Sequence, residues 1–325
     1  NMSKIRVGIV GYGNLGKASE MHVLNSPDME LVCIVSRRKN IKTMSNVRVL
    51  HPDDVIEYKD MIDVMVLCGG SATDLPEQTP YFTKYFNTVD SYDNHSKIPE
   101  HFNNVDKVAK ENNTVSIISV GWDPGIFSLN RLLGLSILPN GKGYTFYGPG
   151  VSQGHSDAVR RVDGVLDARQ YTIPVEDVVN RVRNGETPDF TKREMHERHC
   201  YVVVKEEADK EKIKKEIVNM PGYFAGYDTF VEYVSKEELL ENHAKLPHGG
   251  FVITSGKTSE DNQHIIEFSI KLESNPEFTS AILVAYARAA YKLSQQGSIG
   301  CHTIIDVPIS LISTLSREEI LSMIL

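Results

Sequence analysis

The feature that most restricts this chain is a strand-like run that becomes continuously apolar at Val7-Gly8-Ile9-Val10 and then meets Gly11-Tyr12-Gly13-Asn14-Leu15-Gly16. An uninterrupted apolar strand is buried on both faces, as in the middle of a parallel sheet. The hexapeptide fits G-x-G-x-x-G, a helical pattern follows through Leu24, and a second apolar run covers Leu31 to Val35. Strand, glycine turn, helix and strand form the βαβ context that this fingerprint requires. The first two glycines permit the turn and the close approach of a pyrophosphate to the helix N-terminus, and Gly16 lets helix and strand pack closely. A tight turn using glycine only for its backbone freedom is the plainer alternative.

The next signal lies about 20 residues on, where enzymes that use NAD place a carboxylate on the ribose 2′-hydroxyl. This chain has Ser36-Arg37-Arg38 there. A carboxylate would repel a 2′-phosphate, whereas a hydroxyl and two guanidinium forks bind it through charge-assisted hydrogen bonds, so the segment reads as an NADP site. Further strands are expected at Val64 to Leu67, Thr88 to Asp90 and Val115 to Ser119, with helices from about Asp74 to Tyr85 and ending near Asn112. Open α/β sheets bind ligands beyond the C-terminal ends of their strands. Cys68-Gly69-Gly70-Ser71-Ala72-Thr73-Asp74, Asp90-Ser91-Tyr92-Asp93-Asn94-His95 and Gly121-Trp122-Asp123-Pro124-Gly125 all fall there. With Gly11 to Gly16 and Ser36 to Arg38, the residues Cys68 to Thr73 and Asp90, Ser91 and Tyr92 make up the expected cofactor-binding set. Asp93 and Asp123 are the candidate catalytic carboxylates.

A chain of 325 residues favours two domains. After Gly125 the pattern changes to longer strands and amphipathic helices, which puts a boundary near residue 122, so the expected fold is α/β: a Rossmann-type doubly wound parallel sheet over 1–121, then an α+β domain with a mixed sheet over 122–275. An apolar helix from Phe278 to Gln295 is too apolar to stand alone on the surface and is expected between domains or subunits. The glycine-rich Gly148-Pro149-Gly150-Val151-Ser152-Gln153-Gly154-His155-Ser156-Asp157 leads into a helix and is as consistent with a capping loop as with a ligand loop. Periodicity does not settle which way Arg198, His248 and Asn275 face.

Composition removes several classes. With 35 basic against 43 acidic residues the formal charge is -8, which speaks against a nucleic-acid groove or an anionic membrane as partner. The four cysteines, Cys33, Cys68, Cys200 and Cys301, have neither zinc-site spacing nor disulfide density, which points to a reducing, cytoplasmic setting. Cys68 lacks a partner base and is not expected to be a nucleophile. The histidine pairs lack the carboxylates of a metal site, so no metal is expected. No apolar run reaches the roughly 18 residues of a membrane span, and the start shows no signal-peptide core.

Taken together, these motifs resemble the meso-diaminopimelate D-dehydrogenase family, a likeness that extends through Met220-Pro221, Pro247-His248-Gly249-Gly250 and Asn275-Pro276. One departure is Tyr147, at a position held by Trp in a relative. The resemblance implies reversible NADP-dependent oxidation of the D-configured carbon of meso-2,6-diaminopimelate to an imine, which hydrolyses to ammonia and L-2-amino-6-oxopimelate. It implies that Asp93 and Asp123 hold the reacting centre, with Trp122 and Tyr147 shaping that end and Gln153 and Gly154 lining a loop over the substrate. It assigns Thr172, Arg198, His248 and Asn275 to the distal L-amino acid end. It also implies a nucleotide domain completed by residues from about 276 to 325, and a homodimer or larger assembly. A broader NADP-dependent D-amino acid dehydrogenase and a catalytically silent NADP-binding regulator are the alternatives.

Overall fold

A computed structural model describes residues 3–325. The chain divides into two compact units, one running up to Leu129 and including Pro276–Leu325, the other Asn130–Asn275. The first begins with β1 (Ile5–Val10), α1 (Asn14–Leu24), β2 (Met29–Val35), β3 (Arg48–Leu50), β4 (Val64–Leu67), α2 (Leu75–Thr83), β5 (Asn87–Val89), α3 (Ile98–Asn112) and β6 (Val115–Ile118). These strands pair in parallel in the order β3-β2-β1-β4-β5-β6, the doubly wound arrangement whose order reverses between β1 and β4. The central strands read as unbroken apolar runs because both faces are covered. One face packs Val7, Ile9, Val64 and Val66 with Val23 of α1; the other packs Val10, Met65 and Leu67 with Phe82 of α2.

Helix α4 (Ile126–Ile137) follows. Trp122, Ile126 and Leu129 pack against the core of the first unit, so the units part within α4 and not at residue 122, where the sequence pattern changes. The second unit contains β7 (Lys142–Tyr147), β8 (Gly150–Val151), α5 (Gln153–Arg160), β9 (Val165–Pro174), α6 (Glu176–Arg183), α7 (Lys192–Met195), β10 (His196–Val204), α8 (Lys210–Val218), β11 (Asp228–Tyr233), α9 (Lys236–Asn242), β12 (His248–Lys257) and β13 (Gln263–Leu272). The mixed sheet expected from sequence is four-stranded, β11-β10-β9-β8, parallel only between β10 and β11; an antiparallel sheet, β13-β12-β7, accompanies it. Ala168, Cys200 and Val202 of the first sheet pack under Val159 of α5 and Ile213 and Ile217 of α8, while Tyr144, Phe146 and Ile253 of the other pack against Val178, Val179 and Val182 of α6.

The chain ends with α10 (Asn275–Gln295), β14 (Gly300–Thr303) and α11 (Arg317–Met323). Strand β14 adds to β6 as a seventh parallel strand. The apolar α10 contributes to the core of the first unit, where Leu283, Tyr286, Ala287 and Ala290 are buried. Its Arg288 is fixed by a bidentate pair to Asp28, 2.5 and 2.8 Å, with a third bond to the Ile312 carbonyl. Among the described residues no helix is long and apolar enough to cross a membrane.

The glycine turn after β1 shows why its residues are small. Gly11 has φ +96°, a left-handed conformation that side chains rarely adopt. A Cβ on Gly16 would lie 2.1 Å from the Gly11 carbonyl oxygen, whereas one on Gly13 would meet nothing within 4 Å. Gly16→Ala is therefore expected to lower folding stability by about 1–3 kcal/mol, since the obstacle is backbone that cannot rotate away, while Gly13→Ala leaves stability nearly unchanged. Denaturant titration of both variants checks the contrast.

Candidate active site

At the C-terminal edge of the parallel sheet, the fingerprint buries the Tyr12 ring and packs Leu15 into the core, so what it presents outward is backbone and the Asn14 side chain. Helix α1 starts at Gly13 without a side-chain cap. Open space over Gly13 beside an uncapped helix N-terminus fits a dinucleotide pyrophosphate. Arg38 leans back on this turn, donating from Nη2 to the Tyr12 carbonyl at 3.3 Å, while its backbone N–H bonds Ser36 Oγ at 3.1 Å. The exposed Arg37 borders a cavity of about 340 Å³ with Asp53, Gln78 and Tyr81. Two guanidinium groups beside the end of β2 suit a 2′-phosphate.

Beyond β4, Gly70 N–H bonds Asp74 Oδ2 at 2.9 Å and Ser71 bridges to the next loop, its Oγ donating to the Ser91 carbonyl and accepting from Asp93 N–H. Ala72 and Thr73 are exposed at this turn. The Cys68 thiol lies 3.5 Å from Ser19 Oγ of α1 and burial pushes its pKa up to about 12, so it is a packing residue and no nucleophile.

Asp90 differs from its expected ligand-facing place. It is completely buried, and its carboxylate bonds Thr79 Oγ1 (2.7 Å), His101 Nε2 (2.8 Å), Tyr92 N–H (3.0 Å) and Ser119 N–H (2.9 Å). These partners leave it to position the loops beyond β5 and β6. Asp93 follows with an exposed side chain. Asp123 stands half-buried in the tight turn before α4, where a Cβ on Gly125 would fall 1.7 Å from the Gly121 carbonyl oxygen and Trp122 meets Phe127 edge to face at 5.3 Å.

In the second unit the remaining candidates form one connected patch. Thr172 and Arg198 are direct partners across β9 and β10, and Arg198 Nη1 donates to Thr172 Oγ1. Gly150 pairs with Thr172, and a Cβ on it would strike His248 Nδ1 at 2.4 Å. Tyr147 pairs with Gly250 at the end of β7, and Asn275 N–H bonds the Leu246 carbonyl at 3.4 Å, two residues before His248. Gln153 and Gly154 are exposed in the first turn of α5, which Ser152 caps; Ser152 N–H bonds the Gln170 carbonyl at 3.1 Å.

Arg198 dominates the electrostatics of this patch. Its guanidinium stacks 4.0 Å above the Tyr227 ring, its Nε is buried without a hydrogen-bond partner, and no acidic side chain pairs with it among the described residues. Burial pulls its pKa down. His155 and His196 are depressed to about 4, by burial first and by the Arg198 charge second, and burial also lowers His248. A half-buried cation without a counter-ion, beside neutral imidazoles, suits an anion. Sequence reading missed His155, His196 and Tyr227, and left the direction of Arg198 open. A signal was present: Arg198 shares its strand face with Cys200 and Val202, both buried.

Fold and patches together define a dinucleotide-dependent oxidoreductase of the doubly wound α/β class with a second unit that carries its own polar patch. Residues 121–274 match the family model for the diaminopimelic acid dehydrogenase C-terminal domain. A meso-diaminopimelate D-dehydrogenase from Ureibacillus thermosphaericus is 60% identical over 321 residues, 98% of each chain. A six-substitution mutant of the meso-diaminopimelate dehydrogenase from Clostridium tetani, solved with DAP, is 53% identical with a TM-score of 0.91 and covers 99% of this chain and 100% of its own. Its substituted positions, Gln, Thr, Arg, Pro, His and Asn in the original, have the order and intervals of Gln153, Thr172, Arg198, Pro247, His248 and Asn275. An engineered D-amino acid dehydrogenase bound to NADP+ is 41% identical, with a TM-score of 0.84, over 99% of this chain and 100% of its own. The chain belongs to the meso-diaminopimelate D-dehydrogenase family.

The His196 geometry sets a pH dependence. Its Nε2 accepts the Tyr147 N–H at 2.9 Å, which a protonated ring cannot do. The folded pKa of about 4 lies below the ordinary 6.5, so the stabilisation is complete above pH 6.5 and is lost as pH falls toward 4. Its full size is on the order of 3 kcal/mol. In His196→Gln the amide oxygen keeps the bond without titrating. Unfolding midpoints from pH 7.5 down to 4.5 should fall less steeply in that variant than in the unsubstituted protein.

Proposed function

We propose that this protein catalyses the reversible NADP-dependent oxidative deamination of the D-centre of meso-2,6-diaminopimelate, giving L-2-amino-6-oxopimelate, which cyclises to tetrahydrodipicolinate, and ammonia. The observation that carries the reading is Arg198, a half-buried guanidinium whose Nε is buried without a partner and which has no acidic side chain paired to it, in a family one of whose DAP-bound structures is substituted at the corresponding Arg. Substrates of this length carry a second carboxylate, which a guanidinium fork binds bidentately. Thr172, His248 and Asn275 complete the distal site, under the turn bearing Gln153 and Gly154.

Gly11, Gly13 and Gly16, the N-terminus of α1 and the Ser36-Arg37-Arg38 segment hold the cofactor, together with the loops Cys68–Thr73 and Ser91–Tyr92. When bound, its nicotinamide accepts the hydride from the D-carbon. The protein's own task is to present a neutral amine, because the nitrogen lone pair must form the C=N bond as hydride departs. Asp93 and Asp123 bind the arriving ammonium, and Asp123 takes one of its protons. Water then adds to the imine carbon and ammonia leaves, so the nitrogen departs with the protons that balance the reaction. Trp122 shapes this end and limits water. Exposed Leu132, Leu133 and Ile137 along α4 support assembly as a homodimer, and four free cysteines suit the cytoplasm.

The purified protein is expected to reduce NADP with meso-diaminopimelate and not with the LL isomer; binding without turnover on any amino acid would instead indicate a regulator. Arg198→Met should lower kcat/KM for meso-diaminopimelate roughly a hundredfold while sparing or improving D-leucine, because only the former has a distal carboxylate to leave unpaired. An unchanged ratio of the two efficiencies would remove the distal-site assignment. Asp123→Asn should depress kcat about a hundredfold or more with a smaller change in KM, as the amide fills the same space without accepting a proton. If turnover and the pH–rate profile survive that change, the acceptor is Asp93 or water.

A further inference from the structure

Glu20 of α1 is a fully buried carboxylate that the chemistry above does not use. A buried charge persists only where its lone pairs are satisfied. Tyr12 Oη donates to Glu20 Oε1 at 2.5 Å and Met44 N–H at 3.2 Å, while Ser45 gives Oε2 its hydroxyl at 2.5 Å and its N–H at 3.1 Å. Burial pushes this carboxyl up, but the hydrogen bonds from Ser45, Tyr12 and Met44 outweigh it and hold the group below its usual range. It stays charged.

The partners of Glu20 lie in two segments that meet the cofactor differently. Tyr12 belongs to the glycine turn. Met44 and Ser45 belong to the irregular stretch between Arg38 and β3, where Asn46 has φ +55° and Ser45 Oγ accepts from Val47 N–H at 3.3 Å. With no ladder or helix to fix that stretch, its three bonds to Glu20 do so. Met44 N–H also reaches Tyr12 Oη at 3.2 Å, and the Tyr12 carbonyl holds Arg38 Nη2. Tyr12 is thus gripped at its hydroxyl by Glu20 while its carbonyl grips Arg38.

We propose that Glu20 is a positioning residue for cofactor choice: by clamping Tyr12 and the Met44-Ser45 segment it sets the Arg38 guanidinium for a 2′-phosphate, and so favours NADP over NAD. This rests on the assignment of Ser36-Arg37-Arg38 as the 2′-phosphate site. The groups that would meet a pyrophosphate, Gly13 and the first turn of α1, are not tied to Met44 or Ser45, so loosening the clamp should affect the 2′-phosphate selectively.

The test is calorimetric binding of adenosine 2′,5′-bisphosphate and of AMP to the full chain, for the unsubstituted protein, Glu20→Gln, Ser45→Ala and Arg38→Met. Glu20→Gln keeps the shape of the side chain but cannot accept all four donors. Its Kd for the bisphosphate is expected to rise about tenfold, with that for AMP changing less than about twofold. Ser45→Ala, on a half-buried loop that tolerates the change, should show the same asymmetry at smaller size. Equal weakening of both nucleotides, or no change in either, overturns the role of Glu20. Arg38→Met separates the two assignments. If it alone loses bisphosphate affinity, the 2′-phosphate site stands and the Glu20 clamp falls; if Arg38→Met leaves the bisphosphate unaffected, the site itself falls, and the clamp with it.

Discussion

Beyond the ends of β5 and β6, the Asp90 carboxylate lies out of contact with water and accepts hydrogen bonds from four donors in separate parts of the chain. Thr79 comes from α2, His101 from α3, Tyr92 from the loop after β5 and Ser119 from the loop after β6. The backbone adds to the knot, with Asp90 N–H bonded to the Ile117 carbonyl and Val120 N–H to the Asp90 carbonyl. A buried carboxylate is tolerated because each lone pair has a donor, and the low dielectric makes each of those bonds costly to break. Ser119 is held at φ +57°, a conformation uncommon for a residue with a side chain, and the Asp90 oxygen on its N–H helps to keep it there. The chain then proceeds to Asp93 on one loop and to Trp122 and Asp123 on the other, so one anchored carboxylate precedes both candidate catalytic carboxylates.

Around Arg198 in the second unit the polar groups are incompletely satisfied: Arg198 Nε and Gln170 Oε1 are buried without partners, and the nearby imidazoles are neutral because burial and the Arg198 charge oppose their protonation. A half-buried cation with no counter-charge costs stability, a cost that a bound carboxylate would reduce. Selectivity follows from the same cost, since a ligand lacking the distal anion leaves the penalty in place. The parallel sheet of the first unit, with its apolar strands covered on both faces and α10 fixed by Arg288 and Asp28, supplies stability that such a site does not.

Much of the first unit was readable along the sequence because its signals are local. The apolar runs at Val7–Val10 and Val64–Leu67, the glycine spacing from Gly11 and the basic pair after β2 each follow from neighbouring residues and a backbone that only glycine can adopt. Strands β3 and β14 were not anticipated, since edge strands of three and four residues carry little pattern. Periodicity alone marked the apolar α10 as buried, because hydrophobicity states that a helix is covered without naming what covers it; its place in the nucleotide domain came from the resemblance. For the site, the ordered series of motifs identified the family, and the positions Thr172, Arg198, His248 and Asn275 came from that resemblance.

What the sequence determined by itself is therefore the doubly wound sheet, the glycine turn and the basic pair that follows β2, all of which depend on residues adjacent in the chain. Only the tertiary structure decided that Asp90 faces inward, that Glu20 joins the glycine turn to the segment before β3, and that Arg198 lies over Tyr227 with no acid to meet it. Each of these depends on partners brought together from distant parts of the chain. Whether a buried charge finds a counter-charge is settled by the register of strands and the packing of helices, and neither spacing nor composition encodes that in a form readable along the chain.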